Sequence, residues 1–457
     1  MRRLIRCGWL VSMDPAVGDL RDAEILVDGD RIVAIGHDLG ATAEEVLGGP
    51  RMIAMPGLVN AHLHTWQAGL RGIACEWGHG GYFRHIHADM ATRYGPEDNY
   101  IGNLVGALAQ LDAGVTTLLD YCHNITSQAQ AERSIDALEE SGIRAVFALG
   151  AGKLPPEREA AEPFERRINP RERVAAIRRD RLHSDDARVT MMLGVAGPHW
   201  ASLDATRANL LLARELGLRS SSHATKRPEE AVAVDGYRTL ITEGLVGADH
   251  NIVHGNYLDD AELRALLDAG VSTTATCQTE LRGYAEEPIV RRVCEMGFVP
   301  SIGVDVEPRV SGEMFREMQC ALLAAQHGQR RADAAAGGAR PGIAPIGSRQ
   351  ALAWATIGGA EAIGLGSRIG SLAPGKRADI VLLREDDLNL WPVHDPVLAI
   401  VEYAHAGNVD TVLVDGVLRK RDGRLLVPEA RLTALRERLQ ASARRIMEEA
   451  GFTHQPA

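Results

Sequence analysis

The chain has 457 residues, 45% of them hydrophobic, enough to bury a large core and too many for one small domain. Its formal charge is −11 and no basic run suits nucleic acid, so a nucleic-acid partner is not expected. Six cysteines (Cys7, Cys75, Cys122, Cys277, Cys294, Cys320) are scattered without a Cys-x-x-Cys pair. That argues against a disulfide framework or a thiolate metal site and fits a reducing cytoplasm.

The first eleven residues are apolar in part, but Arg6 and Gly8 break the run, which reads as a strand rather than a secretion signal. No apolar stretch reaches the ~18–20 residues that a membrane span needs. Residues 1–55 alternate apolar and polar around turns such as Asp28-Gly-Asp30, the pattern of short antiparallel strands. The same style returns at 378–383 and 411–416, so residues 1–55 and 369–425 are expected to form one small β-sandwich from both chain ends. Between them, residues 56–368 alternate strand and helix. The strands are expected at 57–64, 115–121, 143–149, 189–196, 218–223, 250–254, 270–276 and 299–305, with helices such as 204–216, 229–243, 258–269 and 313–327.

Eight such repeats predict an α/β fold, a TIM-like parallel (β/α)8 barrel. A doubly wound open sheet would place a glycine-rich turn after its first strand, where this chain has His62-Leu-His64. Two insertions interrupt the rhythm. Residues 71–96 carry Trp77, His79, His85 and His87, while residues 328–346 are rich in Ala, Gly and Arg and read as a mobile connection or lid. Residues 426–457 end the chain as a charged helix over 429–448 and a tail.

Five polar residues fall at expected strand ends: His62, His64, His223, His254 and Asp305. Residues two apart in a strand face the same way, so His62 and His64 form a chelating pair. In a barrel of this kind the C-terminal strand ends converge on one mouth. Three imidazoles and a carboxylate there suit one divalent ion, zinc first and iron or manganese as alternatives. Such an ion lowers the pKa of its water towards ~7, and Asp305 and His254 are the catalytic pair expected to manage the proton. His123, Glu280, Glu307, Lys226, Trp77 and Trp200 are further candidates for the substrate pocket, with His79 and His199 as additional wall residues.

The stretches Pro56-Gly-Leu-Val-Asn-Ala-His-Leu-His64, Gly114–Asp120, Val253-His254 and Gly370–Asp379 make the chain similar to the amidohydrolase superfamily. The resemblance is to its branch of cytosine, guanine and S-adenosylhomocysteine deaminases and triazine hydrolases. It implies that His62, His64, His223 and Asp305 bind one metal ion and that His254 polarises the reacting oxygen. The lysine that bridges two metals in some members is missing from Met191–Pro198, which favours one ion. Two departures stand out. Lys226 occupies the position of a glutamate that protonates the leaving group, and Thr276-Cys-Gln-Thr-Glu280 replaces the His-Cys-Pro-x-Ser-Asn signature. Lysine is a point cation and does not replace a carboxylate shuttle. The expected function is a metal-dependent hydrolase of non-peptide C–N bonds, an aminohydrolase (deaminase) of a small N-heterocycle. Its alternatives are a cyclic-amide or triazine-type hydrolase and a catalytically silent ligand-binding member. The resemblance also implies a small-molecule substrate and a homo-oligomer, without membrane attachment.

Overall fold

The structure of the chain, a computed structural model, describes residues 1–452; the tail from Thr453 onward lies outside the described residues. Four strands open it: β1 (Arg2–Val11), β2 (Asp19–Asp28), β3 (Arg31–Gly36) and β4 (Glu45–Pro56). Eight strands then build the central sheet: β5 (Leu58–Leu63), β6 (Val115–Ile125), β7 (Arg144–Ala151), β8 (Val189–Val195), β9 (Arg219–Ala224), β10 (His250–His254), β11 (Ser272–Ala275) and β12 (Ser301–Ile302). Each expected strand is present. All neighbours pair in parallel, in chain order from β5 to β12. A parallel bridge between Leu63 and Asp305 brings the last strand back to the first. Two backbone bonds make this seam: the His64 N–H donates to the Asp305 carbonyl and the Asp305 N–H to that of His62, both at 2.9 Å.

The eighth strand keeps only two residues because the chain must pass close to β5 beyond Ile302. A Cβ at Gly303 would lie 2.5 Å from the His62 backbone nitrogen, so only glycine fits this approach. Strands β5–β8 are buried along nearly their whole length, as expected for a parallel sheet covered by helices.

The chain closes with β13 (Ile380–Arg384), β14 (Val409–Val414), β15 (Val417–Arg421) and β16 (Arg424–Leu425), then a helix over Glu429–Glu449. These strands join the first four in a single sheet of order β16-β15-β14-β13-β4-β1-β2-β3. Both faces are buried. Ile5, Cys7, Ile25, Val27, Ile380 and Leu382 share one cluster, while Ile53, Met55, Val381, Leu383, Val412 and Val414 join the barrel core. Alternation with period two thus sends one set of side chains inward and the other against the barrel.

Two expectations need correction. The helix expected at 229–243 is limited to Gly236–Thr242 after a short 3-10 turn at Pro228–Glu230. Asp235 lies at φ 53°, a left-handed conformation that interrupts any longer helix. The 328–346 stretch is not a loose lid. The helix Met314–Ala335 runs through its first half, and Gln329 bonds the backbone of both Ala344 and Ile346. Arg340 ties the rest to Asp333 and Glu295. Among the described residues no helix is long and apolar enough to cross a membrane.

The terminal sheet is fastened to the barrel by a buried charge cluster. Arg144, at the start of β7, grips Asp379 through two bonds of 2.7 and 3.1 Å and also pairs with Asp415. Asp379 also accepts the Asp415 N–H at 2.8 Å. Replacing Arg144 by Met should cost about 3–5 kcal/mol, because removing one partner leaves a buried charge uncompensated; urea denaturation would measure it. A second expectation concerns pH. Burial pushes Glu317 up from 4.5 to about 8, against hydrogen bonds from Gln278 and Cys277. The folded protein therefore holds a proton that the unfolded chain releases, and this contribution to stability is lost as pH rises from about 4.5 to about 8. Glu317→Gln should flatten that part of the Tm-versus-pH curve.

Candidate active site

Five side chains meet at the C-terminal mouth of the barrel. His62 lies in β5, His64 one residue beyond it, His223 in β9, His254 at the end of β10 and Asp305 just past β12. The Nε2 atoms of His62 and His223 are 3.2 Å apart, and Asp305 Oδ1 lies 3.4 Å from His62 Nε2 and 3.3 Å from His64 Nε2. Donor atoms of His62, His64 and His223, and likewise of His62, His254 and Asp305, fall within 4.8 Å of one another. His62 is fully buried, and His64, His254 and Asp305 are 3%, 3% and 5% exposed.

The surroundings fix which nitrogen is offered. His64 Nδ1 donates to the Tyr121 carbonyl at 2.7 Å, leaving the Nε2 lone pair turned to the cluster. Burial holds the His62 imidazole down to about 3 and His223 well below its ordinary range, reinforced by neighbouring imidazoles. Both are neutral and offer lone pairs. Asp305 is held well below the usual carboxylate range, because the close polar contacts of His62 and His64 and the pull of His254 outweigh its burial. Neutral imidazoles around one carboxylate, buried and packed this closely, fit a divalent cation as their common partner.

His254 differs from the other histidines. Burial pushes its pKa down, but the Glu280 hydrogen bond together with the Asp305 and Glu280 charges shifts it upward overall. Its Nδ1 lies 3.2 Å from Glu280 Oε1 and 3.1 Å from Thr276 Oγ1. Glu280, fully buried, is itself held by the Thr276 N–H at 2.7 Å and by Asn256 at 3.3 Å. His254 and Asp305 both sit at φ 72°, a conformation that non-glycine residues adopt at a cost of order 1–3 kcal/mol. Asp120 supports the other side of the mouth. It accepts the Thr65 N–H at 3.2 Å and Asn103 at 3.1 Å, and burial raises it to about 6.

The cluster opens into a cavity whose wall includes His64, His123, His223, His254 and Asp305. Of the expected pocket residues, His123 and Trp200 lie on this wall. His123 stacks on His64 with ring centroids 4.0 Å apart, and its Nδ1 accepts the Trp66 indole N–H at 3.4 Å. Trp200 donates its indole N–H to Thr225 at 2.8 Å.

The other candidates lie elsewhere. Glu280 sits behind His254, Glu307 turns away to pair with Arg71 at 2.9 Å, and Trp77 packs on His85 and Phe452. Lys226 rests its ammonium on the Trp200 ring, 4.4 Å from the centroid, and is not on the cavity wall. His199 accepts the Lys226 N–H at 3.1 Å, and the side chain of His79 lies outside the described residues. Residues not singled out from the sequence include Tyr82, Phe83, Tyr284 and Arg309. The first two come from the insertion after β5, whose aromatic content was the available signal; no pattern marked Arg309.

The profile of the amidohydrolase family matches residues 53–419. This chain belongs to the amidohydrolase family. The family is metal-dependent, and this amidohydrolase is a hydrolase of carbon–nitrogen bonds other than peptide bonds. It is 29% identical to a 5-methylthioadenosine/S-adenosylhomocysteine deaminase of Desulforudis audaxviator, over 98% of this chain and 100% of that one. It is 26% identical to a 5′-deoxyadenosine deaminase of Methanosarcina mazei, over 93% and 94%. In fold it is similar to an adenosine deaminase from Xanthomonas campestris with bound zinc (TM-score 0.82, 22% identity, 98% of each chain). It is likewise similar to the atrazine chlorohydrolase of Arthrobacter aurescens complexed with zinc (TM-score 0.82, 22% identity, 96% and 100%).

Removing the ion with a chelator and restoring it should move the melting curve. Zinc at about 1,000 times its Kd adds about 4 kcal/mol by mass action. A His62→Ala variant should show little of this shift in calorimetry, whereas an equal shift in both proteins would place the ion elsewhere.

Proposed function

We propose that this amidohydrolase is an aminohydrolase that removes ammonia from a small N-heterocycle, using one divalent ion, zinc first, held by His62, His64, His223 and Asp305. The observation that carries this reading is the convergence of these four side chains beside a histidine oriented by a buried glutamate. When bound, the ion supplies the Lewis acidity that ionises water near neutral pH.

The rest is the work of the chain. Asp305 takes the proton of the attacking water and returns it towards the departing nitrogen. Glu280 accepts from His254 Nδ1 and, with Asp305, favours the protonated ring, in which the second proton sits on Nε2 and is offered to the oxygen that gains charge at the attacked carbon. With Nδ1 accepting from Trp66, His123 carries its own proton on Nε2 and can donate to a ring atom of the substrate. Aromatic side chains, Phe83 and Trp200 among them, give the heterocycle flat surfaces. Deaminase relatives aligned over almost the whole chain support this choice. Their names support a small-molecule substrate, and we further propose a cytoplasmic enzyme acting as a homo-oligomer.

One observation favours a second reading. Among the described residues Asp305 is the only carboxylate on the cavity wall, and the glutamate position after β9 holds Lys226. A leaving group that needs little protonation, as in triazine dechlorination, suits such a wall. Free ammonia measured across pyrimidines, purines, triazines and lactams separates the two. Asp305→Asn and His254→Asn should each lower kcat/KM by about 10²–10⁴-fold on the accepted substrate. Lys226→Ala should leave kcat close to that of the wild type, since the ammonium rests on the Trp200 ring and does not line the cavity.

A further inference from the structure

The turn after β12 sends two neighbouring charged residues in opposite directions. Gly72 and Ala74 donate backbone bonds to Glu307 and Pro308, which staples the turn to the insertion after β5. Glu307, buried, turns away from the cavity to Arg71, while Arg309 reaches the cavity wall that also holds Asp305 and His254. Arg309 is 1% exposed. Its guanidinium makes one long bond, 3.4 Å to the Trp77 carbonyl, and lies 5.9 Å from the centre of the Tyr82 ring. Its Nε has no partner, and among the described residues no carboxylate pairs with it. The nearby acids are committed: Asp305 to the histidines and Glu307 to Arg71.

A guanidinium removed from water without an anion is costly, and proteins rarely keep one unless something pairs with it. Here the open side faces the site where substrate must lie. We infer that Arg309 is a specificity residue that pairs with a carboxylate borne on the ring of the substrate. A planar two-oxygen anion matches the guanidinium fork. Lys153 and Arg167 share the wall, but Arg167 is paired with Glu159 and Lys153 lies over the Phe164 ring. Among the described residues Arg309 is thus the guanidinium fork left without an acid, and beside the Tyr82 ring it suits a flat carboxylate. The inference rests on the aminohydrolase reading and narrows its substrate to an acidic N-heterocycle.

The test uses the zinc-loaded full chain and two matched compounds, 4-aminopyrimidine-5-carboxylate and 4-aminopyrimidine-5-carboxamide. Binding is measured by calorimetry and turnover by ammonia release. The carboxylate should bind about tenfold to hundredfold more tightly than the carboxamide, the range expected for a charged paired contact. Arg309→Met should collapse that ratio towards one, and Arg309→Lys, which keeps the charge without the fork, should retain part of it. If the Met variant does not fold, the Lys variant and the wild-type ratio decide. Absence of a carboxylate preference in the wild type, or a preference that survives Arg309→Met, would overturn the inference. An Arg309-dependent preference without ammonia release would uphold the anion site and remove the deaminase reading; ammonia release without the preference would do the reverse.

Discussion

The barrel is closed by the same residues that form its site. β12 is too short to supply a ladder of its own, and the bonds that join it to β5 run between the backbones of His62, His64 and Asp305. Closure and the donor geometry are therefore one constraint: the seam cannot shift by a residue without turning the imidazoles away from the carboxylate. Gly303 makes the approach sterically possible, and Asn60 secures it by accepting the Val304 N–H at 3.1 Å.

The seam also explains where the energetic cost falls. Five ionisable side chains are gathered where water is largely excluded, and two of them occupy left-handed backbone positions. Such strain persists only where the surroundings fix the conformation. Here the fixing groups are Glu280 and Thr276 under His254, and the paired seam bonds at Asp305. The long buried strands and the fastened terminal sheet provide the stability against which this local cost is set.

Much of this was legible in the chain itself. His62 and His64 two apart at a strand end, together with His223, His254 and Asp305 at later ends, mark the mouth because strand ends in a closed parallel barrel converge. What escaped reading is governed by the direction of side chains in loops, which no periodicity encodes. Glu307 and Arg309 are two residues apart in one turn, yet one leaves the site and the other enters it. Its place after β9 makes Lys226 a candidate substrate contact, whereas its ammonium rests on the Trp200 ring and is not among the side chains of the cavity wall. The 328–346 stretch misled by composition: its Ala-rich first half continues a helix, and Gln329 and Arg340 tether the remainder.

The terminal sheet has a consequence for how the molecule comes into being. β4 takes β1 on one edge and β13 on the other, and β13 follows it by more than the entire barrel. During synthesis on the ribosome, β4 must wait with an open edge until its distant neighbour emerges. That interval is when a newborn chain is most vulnerable to strand exchange with others like it. β1 and β2 by then have neighbours on both sides, so the nascent sheet is open at β3, which ends the strand order, and at β4, the edge that β13 later covers.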